Sequence, residues 1–239
     1  MEVSMKQKKL VIVSAVLLLS AACMFADSIL SVGPAFTNYL VRTKMEGTAL
    51  SGQIQNIVGD SFGNLKDEKN NAAGFALDWH GGLFYLMAQM AFPGKTHSDI
   101  FKSDAKGIEN SAIIFDTQLG LGLTFFKDSP FNLFVGAGAG LNTMYAKGKT
   151  TLPVVGDFEY AKLDFTVGAG ANVLASFFLT KHLGIYAGIA DTVYFLPIAA
   201  QKSFKFGGKE YKFDNNSDTK VKNLLANSLN VKAGLTIKL

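Results

Sequence analysis

From residue 28 onward the chain is a succession of eight stretches in which apolar residues take every second position, joined by connections that alternate short and long. Side chains alternate sides along a strand, so each stretch has one apolar face and one polar or small face. The clearest sets Ile113, Phe115, Thr117, Leu119, Leu121, Leu123 and Phe125 against Ile114, Asp116, Gln118, Gly120, Gly122 and Thr124. This pattern predicts an all-β fold, an eight-stranded antiparallel up-and-down barrel.

The expected strands cover 28–41, 71–79, 83–92, 112–126, 131–145, 160–178, 184–198 and 224–239. Lys127 to Pro130 and Thr180 to Leu183 read as short turns, whereas 42–70, 93–111, 146–159 and 199–223 read as long polar connections. His80-Gly81-Gly82 divides the apolar stretch from Ala72 to Phe92 into two strands. Without that turn the strand count would be odd, and 93–111 would fall beside the short turns. Single-chain barrels of bacterial outer membranes have even counts, with their short turns on one side.

Residues 1–26 have the layout of a signal peptide: Lys6, Lys8 and Lys9, an apolar run from Leu10 to Leu19, then small residues, with cleavage after Ala22 or Ala26. Cys23 follows Leu19-Ser20-Ala21-Ala22, which loosely resembles a lipobox, so Cys23 is also a candidate for lipidation. Residues 27–239 then form one barrel domain. A single cysteine supplies no disulfide framework, so stability must come from backbone pairing and packing. Half of the formal charge of +4 sits in the leader, and the remainder shows none of the basic clustering of a nucleic-acid binder. No nucleic acid is expected as a partner.

Alternation alone does not say which face points in, and a water-soluble ligand-holding barrel would also alternate. The polar face decides the matter. It carries Gly120, Gly122, Gly136, Gly138, Gly140, Gly168 and Gly170 with Asp116, Asn142, Asp164, Asn172, Asn230 and Lys232. Glycine suits the crowded interior of a small barrel better than a solvated surface. Turning this face to lipid would also expose lysines at about 2 to 4 kcal/mol each near the midplane. The apolar face is therefore expected outward, against lipid. Trp79, Phe125, Phe126, Phe131, Phe177 and Phe178 at the short-turn end, and Tyr39, Tyr145, Tyr160, Tyr194 and Phe195 at the other, are expected as interfacial girdles.

On this pattern, and on the closing strand Asn227 to Leu239, the chain resembles the small eight-stranded bacterial outer-membrane barrels of the OmpW, OmpX and opacity kinds. The resemblance implies location in the bacterial outer membrane, contact with its lipid, and recognition of the C-terminal strand by the outer-membrane assembly machinery. Members usually end in an aromatic residue; Leu239 stands there in this chain.

Chemical motifs are few. Gly136-Ala137-Gly138-Ala139-Gly140 lacks both the spacing and the following helix of a dinucleotide fingerprint. His80, His97 and His182 lie apart without metal-ligand spacing, and His97-Ser98 is a lone adjacent pair in a loop. No enzyme and no cofactor is expected. The lumen-lining set is Asp116, Gln118, Asn142, Lys162, Asp164, Asn172, Asn230 and Lys232, which reads either as a salt-bridged plug or as a thin polar path. Asp191 breaks the outward face of its strand, and a bulge near Ala190 would turn it inward.

Leu50, Ile54, Ile57 and Val58 recur at helical spacing in the first long loop and form a candidate lid. The lysines and aromatics of 199–223 suit a surface ligand, or a hairpin standing above the membrane. Two functions follow: a narrow conduit for small or hydrophobic solutes, or a surface-exposed binding, adhesin-like or structural barrel working through its outer loops. The first is the reading adopted.

Overall fold

The computed structural model describes residues 28–46, 68–93, 109–152, 156–206, 209–213 and 220–239. The leader 1–26 with Cys23, the candidate lid residues Leu50, Ile54, Ile57 and Val58, and His97-Ser98 lie outside them. The strands are β1 (Ile29–Glu46), β2 (Glu68–Gly81), β3 (Phe84–Pro93), β4 (Glu109–Phe125), β5 (Phe131–Leu152), β6 (Gly156–Phe178), β7 (Leu183–Phe206), β8 (Lys209–Phe213) and β9 (Lys220–Lys238). From β1 to β7 each pairs antiparallel with the next, β7 pairs with β9, and β9 pairs with β1. Eight strands thus close a barrel, and β8 adds to the free edge of β7. Closure gives every wall strand two neighbours and removes the sheet edge.

Three tight turns join the strands at one end. Only Gly82 and Leu83 separate β2 from β3, and Gly82 has φ 58°, the left-handed backbone that such a hairpin loop asks of its first residue. The expected His80-Gly81-Gly82 turn therefore sits slightly further along, with His80 and Gly81 still paired to Tyr85 and Phe84. At the next turn Ser129 N donates to the carbonyl of Phe126 at 2.9 Å. At the third, Leu183 N donates to Thr180 Oγ1 at 2.9 Å.

The other end departs from expectation. Residues 146–159 are not a long connection: the β5–β6 ladder continues from Ala146–Lys162 to Leu152–Gly156. Likewise β7 runs to Phe206 and turns back as β8. Once clear of lipid, a strand has no apolar face to maintain, so alternation fades although backbone pairing persists. A tilted crossing needs about 9 to 11 residues. β3, with 10, suffices for that, whereas β5, β6 and β7, with 22, 23 and 24, run on beyond the bilayer. In the projecting part Lys149 pairs with Asp157 at 3.5 Å and with Glu159 at 3.8 Å, and Lys205 with Glu159 at 3.9 Å.

The wall faces are unambiguous. Leu119 is 61 % exposed and Phe75 66 %, while the adjoining Gln118 is fully buried. The belt of exposed Val, Leu, Ile and Phe circles the barrel, as a lipid-facing surface must. Two members of the expected outer girdle do not belong to it. Tyr39 and Tyr194 point inward and are 1 % exposed, because polar partners inside the barrel take their hydroxyls. Tyr145 and Phe195 do face outward; the side chain of Tyr160 lies outside the description.

Inward glycines make room for large rings. A Cβ on Gly122 would stand 2.4 Å from Phe134 Cζ, and one on Gly136 would stand 2.8 Å from both the Phe134 and Tyr85 rings. Gly122→Val is therefore expected to destabilise the barrel by about 1 to 3 kcal/mol through overpacking, measured as a lowered urea midpoint in lipid vesicles. An unchanged midpoint would mean that the Phe134 ring has free space to move into.

Candidate functional site: the barrel interior and the β7–β9 seam

Side chains of the inward face meet in layers. Nearest the tight turns, Tyr85, Phe134, Leu174 and Tyr186 form an apolar cluster. Above it Lys232 Nζ reaches Asp78 Oδ1 at 2.6 Å, both side chains essentially without solvent contact, and Asn172 Nδ2 donates to the same oxygen at 2.9 Å.

The next layer is a set of hydrogen-bonded groups. Gln89 Nε2 donates to Asn230 Oδ1 at 2.9 Å and also to Thr37; Asn230 Nδ2 donates to Asp116 Oδ2 at 3.1 Å; Tyr194 donates to the other oxygen of Asp116. Gln118 accepts from Tyr85 Oη at 3.0 Å and donates to Thr192. Tyr39 Oη donates to Asn142 Oδ1 at 2.8 Å. Towards the outer end lies a second apolar layer of Tyr39, Ala72, Ala91, Ile114, Met144, Ala146, Tyr194 and Ala226. Buried polar groups of this kind hold their geometry because each lost bond leaves a costly orphan.

Of the residues singled out from sequence, Asp116, Gln118, Asn142, Asp164, Asn172, Asn230 and Lys232 all lie buried inside the barrel. The backbone of Lys162 pairs with Ala146 and Lys202, and its side chain lies outside the description. The partner of Lys232 is not among those carboxylates. It is Asp78, a residue the sequence reading passed over, although Ala76, Asp78 and His80 alternate with the outward Phe75 and Leu77. Gln89, Thr192 and the interior tyrosines were legible by the same parity.

Asp191 also corrects an expectation. Ala190 pairs with Asn172 and Asp191 with Ala171 in unbroken register, so no bulge occurs there. Asp191 faces outward and accepts from Asn227 Nδ2 at 2.7 Å. The bulges fall instead at Phe195 and Ile198, where the β6–β7 register shifts on either side of Pro197. Proline has no N–H to give, so within a sheet it belongs at an edge or a bulge.

The same stretch borders the end of one ladder. Among the described residues, β7 pairs with β9 from Leu183–Ile237 up to Tyr194–Ala226 and then stops, while β9 continues paired to β1 as far as Lys220. β8 covers the edge of β7 only from Lys202 onward. Among the described residues, β7 between Phe195 and Gln201 is thus paired to β6 alone, with Phe195 and Ile198 bulged out of that ladder, and Phe195, Leu196 and Ile198 are 59, 54 and 52 % exposed.

His182 is exposed in a turn, with Nδ1 at 3.1 Å from the Lys238 carbonyl oxygen. His80 is buried and stacks on Phe134, ring centroids 4.4 Å apart. Among the described residues no group of three His, Cys, Asp or Glu is placed to hold a metal ion.

No curated protein matches the sequence. Among solved structures, a major outer membrane protein from Thermus thermophilus is similar at TM-score 0.51 and 10 % identity, over 86 % of this chain and 99 % of that one. OprG from Pseudomonas aeruginosa is similar at TM-score 0.44 and 9 % identity over 90 and 97 % of the two chains, and Neisserial surface protein A at 0.39 and 13 % over 87 and 97 %. At such identities the likeness concerns the fold, a small barrel of the outer-membrane type. The closed wall and its apolar belt place the chain in contact with membrane lipid. Residues 24–239 match the family model described as domain of unknown function DUF2715, nearly the entire chain, and the protein belongs to that family.

Proposed function

We propose that this protein is an outer-membrane conduit that releases small apolar solutes sideways into the bilayer. The carrying observation is the β7–β9 seam, whose pairing ends at Tyr194–Ala226 while both strands run on. The paired part of β7, Leu183 to Tyr194, already has the length of a tilted crossing, so the unpaired stretch beside Phe195, Leu196 and Ile198 lies at the outer rim of the bilayer, where side chains, water or solute can meet the backbone that hydrocarbon would not satisfy. Inside, the route would begin at the outer apolar layer around Ile114 and Met144 and stop at the network of Asp116, Gln118 and Asn142. Passage along the axis is disfavoured by the packed layers beneath. The Asp191–Asn227 bond sits at the foot of the seam and would act as its latch. No enzymatic step enters this reading, and β9, which closes the barrel, is the segment proposed for the assembly machinery.

A second reading rests on a different observation. The projecting sheet of β5 to β8, edged with Lys147, Lys149, Glu159, Lys205 and Lys209, suits contact with a charged surface ligand.

The test locks the seam. Val193 and Asn227 are paired across it, so a Val193→Cys/Asn227→Cys disulfide lies within bridging distance and spans its base. In vesicles, uptake of a small apolar fluorophore is expected to fall when the pair is oxidised and to recover on reduction. Uptake indifferent to the redox state would reject the lateral route and leave the surface-binding reading.

A further inference from the structure

The tight-turn end holds a feature that solute passage does not use. A cavity of about 170 Å³ opens there, lined by His80, Thr124, Lys127, Asp128, Asn132 and Lys238 among others. That is roughly five water volumes, enough for a small oxyanion. His80 is 3 % exposed, and neither of its ring nitrogens has a hydrogen-bond partner among the described residues. One face of the ring is fixed by Phe134, stacked at 24°. Gly81 and Gly82, also in the lining, present no side chain that would cap the imidazole from the turn. A buried imidazole left unsatisfied on both edges is costly, so this ring is held ready for something that occupies the cavity.

The charges select the occupant. Lys127 and Lys238 outnumber Asp128, which disfavours a cation, and Asn132 has its amide nitrogen engaged once the group is oriented to suit its surroundings, donating to the carbonyls of Phe126, Ser129 and Phe131. Lys238 Nζ lies 3.5 Å from the Lys127 carbonyl, which holds the two basic residues at one rim. Above the cavity the Tyr85, Phe134, Leu174 and Tyr186 cluster separates it from the Asp78–Lys232 pair, so it faces the short-turn side of the membrane.

We propose that this cavity is an oxyanion site: His80 donates a ring N–H to a phosphate or carboxylate oxygen, and Lys127 and Lys238 neutralise its charge. The phosphate can be a free ion or the headgroup of a lipid in the adjoining leaflet. The proposal is independent of the seam.

The test is by NMR on the full refolded chain in phosphate-free detergent, with the His80 imidazole signal identified by its loss in His80→Gln. Adding inorganic phosphate is expected to move that signal saturably, while chloride at the same ionic strength leaves it in place. The Lys127→Met/Lys238→Met double variant, its fold checked by the urea midpoint, should weaken the response by about tenfold or more; either single variant serves if the double one does not fold. Comparing phospholipid bilayers with phosphate-free glycolipid bilayers separates the sources. A signal already shifted in phospholipid alone points to the headgroup, and one that needs added phosphate points to the free ion. No saturable shift in any medium, an equal shift with chloride, or an undiminished response in the lysine variants would show a water-filled cavity and overturn the proposal.

Discussion

Lys232→Met is expected to destabilise the barrel by about 3 to 5 kcal/mol, the cost of leaving one member of a buried ion pair alone. The Lys232 and Asp78 side chains are 0 and 1 % exposed, and their 2.6 Å contact is the main compensation for burying either charge. With the ammonium gone, the carboxylate keeps the amide of Asn172 and little else. Adding Asp78→Asn to Lys232→Met should restore most of the loss, because neither member of the pair then buries a charge and the Asn172 amide still has an oxygen to meet. Reversible urea unfolding in lipid vesicles measures both. A single variant within about 1 kcal/mol of wild type would mean that water reaches the pair, and with it that the interior is open at this level.

The second large effect belongs to the outer face. Leu119 lies midway along the exposed apolar run of β4 from Phe115 to Phe125, so Leu119→Arg places a charge near the centre of the hydrocarbon at about 2 to 4 kcal/mol. The same substitution at Leu183, the first residue of β7 beside a tight turn, should cost about 0 to 1 kcal/mol because the side chain reaches the interface. Leu119→Met keeps volume and polarity and should be nearly silent. The inward neighbour Gln118 is a poor control for charge, since its amide already meets Tyr85 and Thr192 and stands 2.7 Å from where a Gly170 Cβ would be. Equal refolding free energies for arginine at 119 and 183 would remove the lipid-facing assignment of β4.

Parity explains both what could be read and what was misread. Alternation assigns a face from a single residue's position, so the inward set from Asp116 to Lys232 followed as soon as glycine had identified the interior. Tyr39 and Tyr194 obey the same parity. The commonness of tyrosine at membrane interfaces points to a girdle instead, and this composition-based rule fails where it conflicts with the positional one. The lengths of β5 to β7 were hidden for another reason: above the lipid nothing enforces an apolar face, so strand and loop look alike in sequence.

The sequence by itself determined the barrel, the strand count of its wall, the approximate position of its tight turns and the side most wall residues face, because in a membrane these depend on local alternation against one apolar solvent. Pairing across the interior is a different kind of fact. Whether Lys232 meets Asp78 or Asp116 depends on how far each strand is displaced along its neighbour around the closed wall, which accumulates over the whole circuit and leaves no trace in any one strand. Only the tertiary structure decided that pairing, the stop of the β7–β9 ladder at Tyr194–Ala226, and the unpartnered imidazole of His80.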